Sequence, residues 1–307
     1  MVDDGMLGRR SSRAVPAWMP WALGALGVAA LVQIGARVAP DWYRIFGPYL
    51  LVDADMVVGA VRAVSPFVFA AAVLVGAQRW PAGRRWLHLG ALALGLQGLL
   101  GLGSDIWWAI WEPSPGELSD GVQVMFIARS FASAIAVIAA SALLAAGLWS
   151  ARADATLGGG RHRVAMVVIG LVGLVALGSG LWVAAVYFGS PNLGDAILVY
   201  AAVGVLVAIG FAATALLALV AVWVKPRRGG MPEVLIAGGA TLVAGVAAWE
   251  WAFPNLVPLQ ELPPDVIPWA FTLASALVTL GFVAMIAGFG AGALVRDRHP
   301  GADTTPG

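Results

Sequence analysis

Eight long apolar runs leave this chain few ways to fold. They span Trp18–Ala39, Met56–Ala77, Trp86–Trp111, Val122–Trp149, Val164–Phe188, Asp195–Val224, Glu233–Ala252 and Val266–Val295. A helix rising about 1.5 Å per residue needs about 20 apolar residues to cross a hydrocarbon core about 30 Å thick, and each run approaches or exceeds that length. Backbone amides in hydrocarbon must find partners within the protein, which restricts spanning structures to helices and closed barrels. Barrel strands are about 10 residues long and alternate in polarity, and none of these runs alternates. The expected fold class is an all-α integral membrane protein with eight transmembrane helices. Composition agrees: 60% of the 307 residues are apolar and 11% are charged, against about 25% charged in an ordinary soluble domain. So few charges could not solvate the surface of a soluble protein of this size.

Arginine sets the expected orientation, because loops near the spans carry their basic excess on the cytoplasmic side. Arg9, Arg10 and Arg13 precede the first span. Arg79, Arg84 and Arg85 join spans two and three, Arg152, Arg161 and Arg163 join four and five, and Lys225, Arg227 and Arg228 join six and seven. Arg296 and Arg298 follow the last span. Fourteen of the eighteen basic residues thus fall on one side. The opposite loops carry Asp41, Asp53, Asp55, Glu112, Glu117, Asp120, Asp195, Glu261 and Asp265. An even number of spans then puts both termini in the cytoplasm. The chain divides into a cytoplasmic tail at 1–17, a four-helix half at 18–149, a linker at 150–163, a second half at 164–295 and a cytoplasmic tail at 296–307. The first span is longer than a secretory h-region, and Pro40 follows the small-residue site, so it reads as a signal anchor. A single lysine against seventeen arginines, with abundant Ala, Gly and Val, suggests the plasma membrane of a prokaryote with a GC-rich genome.

Several chemistries find no residues here. Without cysteine there is no disulfide, thiolate metal site or redox pair. His88, His162 and His299 lie at or near charged loops, so no axial ligands are expected for a membrane haem. The segment "LGSG" at Leu177–Gly180 matches part of an intramembrane serine protease motif, but Leu177 replaces its first glycine and no membrane histidine can serve as base. There is no H-E-x-x-H, no membrane aspartate pair and no phosphate loop; "GGGRHR" at Gly158–Arg163 reads as a flexible turn. No catalytic residue, metal ligand, cofactor or nucleic-acid partner is assigned.

The stretch "GSDIWWAIWEP" places Trp107, Trp108 and Trp111 where the third span leaves the bilayer. Indoles favour the headgroup level, apolar body inward and N–H toward water. Trp18, Trp21, Trp42, Trp80, Trp86, Trp149, Trp182, Trp223, Trp249, Trp251 and Trp269 also lie near span ends, so an aromatic belt accounts for the cluster; a stacking site is the alternative. Glu250, between Trp249 and Trp251, reads as interfacial. Gly95, Gly98, Gly101 and Gly103, with Gly173, Gly178, Gly180, Gly288 and Gly292, are expected at close helix crossings. The halves also resemble each other. "RRWLHLGALALGLQGLLGLGSDIWWAIWEP" parallels "RRGGMPEVLIAGGATLVAGVAAWEWAFP", and Asp120 falls opposite Asp265. A 4+4 parallel repeat is one reading; chance likeness between Ala/Leu/Val helices is the other.

Three ionisable residues lie inside spans: Arg62, Asp105 and Arg129, on spans two, three and four. Each sits about 6–9 residues from the same end of its helix, or roughly 10 Å deep at 1.5 Å per residue. Charges at such depth cost on the order of 2.5–3.5 kcal/mol and normally face protein or water with a partner. One reading is a structural pair of Asp105 with Arg62 or Arg129. The other is a ligand site formed by Arg62, Asp105 and Arg129, with Arg37 adding to the field. Two arginines against one aspartate would suit a small anionic solute or a lipid headgroup, since guanidinium binds carboxylate and phosphate through its fork. The expected function is binding or transport of such a solute through an outward-facing cavity in the bilayer. The alternative is a non-catalytic membrane subunit or assembly factor, with a membrane-protein partner in a larger envelope complex.

Overall fold

The computed structural model describes residues 16–38, 54–110, 120–151, 160–188, 197–223, 231–256 and 266–294. Eight helices occupy them: α1 (Met19–Val38), α2 (Ala54–Gly76), α3 (Arg84–Ile110), α4 (Asp120–Ser150), α5 (Gly160–Phe188), α6 (Ile197–Trp223), α7 (Met231–Leu256) and α8 (Val266–Leu294). All eight are long and apolar enough to cross a membrane, and among the described residues there is no strand. Every one lies within about four residues of its expected span. The molecule is a multi-pass, all-helical membrane protein.

Six helices close a ring in the order α2, α3, α4, α6, α7, α8, with α8 returning to α2; α1 packs outside on α2 and α3, and α5 outside on α6 and α7. Lipid solvates apolar side chains well, so close backbone approach, rather than hydrophobic burial, must hold such helices together. Small residues provide it here. A Cβ on Gly76 would collide with the carbonyl of Phe289, and one on Gly83 with that of Gly147. Gly281 leaves only 2.8 Å between such a Cβ and the carbonyl of Gly239, and Gly288 leaves 2.6 Å to that of Pro232. Gly180 lies against Ala208, and Gly173 against Ala215. Other glycines expected at crossings are not there: Gly101, Gly103 and Gly178 face open space. Composition identifies glycine on a helix but not the face it occupies.

Two ends of the bundle differ. Where α2 ends and α3 begins, a packed core gathers Phe69, Val73, Trp80, Leu87, Leu144, Leu148, Leu217, Ile236, Met285 and Phe289. Trp80 stands edge-on to Phe289 at 5.7 Å and is only 5% exposed. It belongs to the core, not to the expected belt, because the short 3₁₀ turn Ala77–Arg79 folds its ring back under the helices. Trp18, Trp21, Trp86, Trp149, Trp182, Trp223, Trp249 and Trp269 are exposed, as a belt requires. Trp42 and Trp111, and the side chains of Trp108 and Trp251, lie outside the described residues. Arg79 also reaches Glu233 at 3.3 Å, tying the start of α7 to the α2–α3 turn. At the opposite end the ring opens into a cavity.

Candidate functional site

The cavity has a volume of about 590 Å³, within the range of small-molecule sites. Five helices line it: α1 with Gln33 and Arg37; α2 with Val58, Gly59, Arg62, Ala63 and Pro66; α3 with Gln97, Gly98, Gly101 and Asp105; α4 with Arg129 and Ser133; α8 with Phe271, Thr272 and Ser275. Eight residues separate Val58 from Pro66, and Gln97 from Asp105. At 1.5 Å per residue the lining therefore runs about 12 Å along the helix axes. The local sequence explains the space. Gly59, Ala63, Gly98 and Gly101 present almost no side chain, and a Cβ on Gly101 would meet nothing within 4 Å.

All three sequence-predicted site residues, Arg62, Asp105 and Arg129, line this one cavity. Their pairing differs from expectation. Asp105 accepts a hydrogen bond from the Gln33 amide and lies 3.5 Å from Arg37, both on α1. Arg62 donates to Glu250 through both terminal nitrogens, at 3.2 and 3.3 Å, and to the Ser275 hydroxyl at 3.0 Å. Neither guanidinium proposed for Asp105 pairs with it. The reason is position around the ring: α1 packs against α3, where it brings Arg37 to Asp105, while Arg62 is in register with Ser275 on α8 and reaches α7 beyond. Glu250 is accordingly not a free interfacial acid. It stands at the end of the membrane-length stretch Met231–Glu250, with its carboxylate turned to Arg62 and about one-fifth exposed.

Arg129 is different. Among the described residues no hydrogen bond or ion pair engages its guanidinium, although it lines the same cavity as the Arg37–Asp105 pair and as Arg62, whose partner Glu250 lies outside the lining. The lining holds three guanidiniums (Arg37, Arg62, Arg129) and one carboxylate (Asp105); with Glu250, which pairs with Arg62 from outside the lining, the local surplus is one positive charge. Arginine remains protonated in proteins and donates through five N–H groups, so an unpaired one in a cavity is a site for an anion. Sequence reasoning missed Gln33 as the donor to Asp105 and Glu250 as the partner of Arg62, along with the lining residues Gln97, Ser133 and Ser275. Gln33 is 1% exposed and stands four residues before Arg37; two polar residues one turn apart on an apolar helix were the available signal.

Elsewhere the site chemistry is sparse. Ser179 of the "LGSG" segment donates to the Ala176 carbonyl, a common intrahelical bond, and His88 stands edge-on to Trp18 at 5.3 Å. Among the described residues no group of His, Cys, Asp and Glu could hold a metal ion. Comparison with family models, with curated proteins and with solved structures returns no match for this chain.

Proposed function

We propose that the chain is a plasma-membrane protein that binds a small anion in this cavity and carries it across the bilayer, with both termini in the cytoplasm and the cavity facing outward. The observation that carries the reading is the Arg129 guanidinium, unpartnered among the described residues, on a 590 Å³ cavity whose lining carboxylate Asp105 is paired with Arg37 and whose Arg62 is paired with Glu250 behind the wall. A buried structural network would have no reason to leave a cation over, since an uncompensated charge at membrane depth is costly. The arginine count of the loops supports the orientation.

Helix pairing supports a 4+4 parallel repeat as the framework for this function. Renaming each helix of the first half as its counterpart four helices later turns α1–α2, α1–α3, α2–α3 and α3–α4 into α5–α6, α5–α7, α6–α7 and α7–α8, all of them packed pairs. It also turns α2–α8 into α6–α4. Registers agree too. Moving both members of the Gly83–Gly147 contact along by 145 residues, the spacing of Asp120 and Asp265, gives the register of Gly239 with Gly281. The same offset carries Asp105 onto Glu250, so each half contributes one carboxylate that pairs with an arginine of the cavity wall.

The test is binding to the purified chain in detergent, with inorganic phosphate and lactate as probes and choline as cationic control. Both anions should raise the melting temperature in a saturable way, choline should not, and Arg129→Gln should weaken anion binding at least tenfold without lowering folded yield. Equal binding by wild type and Arg129→Gln would overturn the proposal.

A further inference from the structure

The remaining lining of the cavity narrows the chemistry of its ligand, an inference that rests on the anion-binding reading above. Below the arginine layer the wall is not apolar. Gln97 on α3 and Ser133 on α4 both line the cavity, and among the described residues neither makes a hydrogen bond. Gln97 stands thirteen residues from either end of α3, at the middle of the span. A primary amide at that depth carries two donors and two acceptor lone pairs. Left unmet in an apolar setting it costs several kcal/mol on hydrocarbon transfer scales. Ser133 lies one helical turn deeper than Arg129 on the same face of α4, and it does not bond back to its own helix as Ser150 and Thr214 do. Two polar groups are thus held open beneath one open cation.

We infer that the ligand is a hydroxylated monoanion: one carboxylate or phosphodiester group on Arg129, and hydroxyls reaching down to Gln97 and Ser133. Charge decides the first half. The local surplus is one, so a monoanion neutralises the site, whereas a zwitterion would leave Arg129 uncompensated and a dianion would overshoot. Hydrogen bonding decides the second. An apolar tail of equal size would leave the amide and the hydroxyl desolvated and unpaired, a loss of about 1–3 kcal/mol per group. That corresponds to a preference of about tenfold or more. The same chemistry is offered by a free sugar acid and by a glycerol-bearing phospholipid headgroup, and the two sources can be separated.

The experiment uses matched pairs that differ only in hydroxyls. For the solute arm, glycerate and propionate are titrated calorimetrically into the detergent-purified chain. For the lipid arm, melting temperature is followed in nanodiscs doped with phosphatidylglycerol or phosphatidylpropanol. A preference of about tenfold for glycerate, or stabilisation by phosphatidylglycerol alone, is the expected result and assigns the source. Gln97→Leu and Ser133→Ala, both compatible with a membrane helix, should erase that preference while leaving the affinity for propionate or phosphatidylpropanol in place. Equal affinity within both pairs, with binding still lost in Arg129→Gln, overturns the hydroxyl inference and leaves the anion reading standing. A hydroxyl preference that survives both substitutions overturns the assignment to this wall. If none of the four probes binds, the anion reading fails with it.

Discussion

Among single side chains, the Arg37–Asp105 and Arg62–Glu250 pairs have different duties from Arg129, which has no partner among the described residues. Arg62 joins α2 to Glu250 on α7 and Ser275 on α8, so it fastens the first half of the chain to the second. Glu250→Gln would remove the charge facing Arg62 in a partly hydrated setting, where loss of a charged hydrogen bond costs about 1.5–3 kcal/mol. Folded yield and melting temperature should fall, and Arg62→Glu combined with Glu250→Arg should recover part of the loss. Asp105→Asn should behave more mildly, because Arg37 is half exposed and its cation can turn to solvent. The same comparison shows what was legible at this scale. Depth along a helix follows from counting residues, so Arg62, Asp105 and Arg129 could be placed at one level from sequence. Position around the bundle does not follow from counting. Arg37 and Glu250 therefore remained hidden as partners, the latter behind two flanking tryptophans that read as a membrane surface.

Between helices, adjacent glycines separate composition from packing. Gly238 and Gly239 have nearly the same sequence surroundings, yet a Cβ on Gly238 meets nothing within 4 Å while one on Gly239 would strike the Gly281 carbonyl. Gly239→Ala should force α7 and α8 apart and lower stability by about 1–3 kcal/mol. Gly238→Ala should stay within about 0.5 kcal/mol of wild type. Equal melting temperatures for the two variants would contradict this account of the α7–α8 seam. The spans themselves were readable because apolar length is set by bilayer thickness, a constraint acting on each helix alone. Which helices touch depends on faces. The faces of a helix that is apolar nearly all round carry no polar stripe to mark them, and α5, with little but Ser179 between Val164 and Ala185, is of this kind.

Taken whole, the bundle makes one prediction about its surroundings. Cysteines placed at Gly116 and Asn192 should react with an impermeant maleimide on intact cells, and cysteines at Gly159 and Gly229 only after permeabilisation; the reverse pattern would invert the proposed orientation. Gly83 would be a poor probe, because it is pressed against Gly147. The closure of the ring also has a consequence for how the protein is made. α8 is synthesised after the other seven described helices, yet it fills the gap between α7 and α2 and supplies Phe271, Thr272 and Ser275 to the cavity. A nascent chain that has delivered seven helices still lacks one wall, and Phe69 and Gly76 on α2 await Phe289. Closure of the ring therefore waits for α8. A ribosome that stops before residue 266 leaves a product with Arg62 and Glu250 on an unclosed seam, polar groups turned toward lipid, and nothing that could hold a ligand.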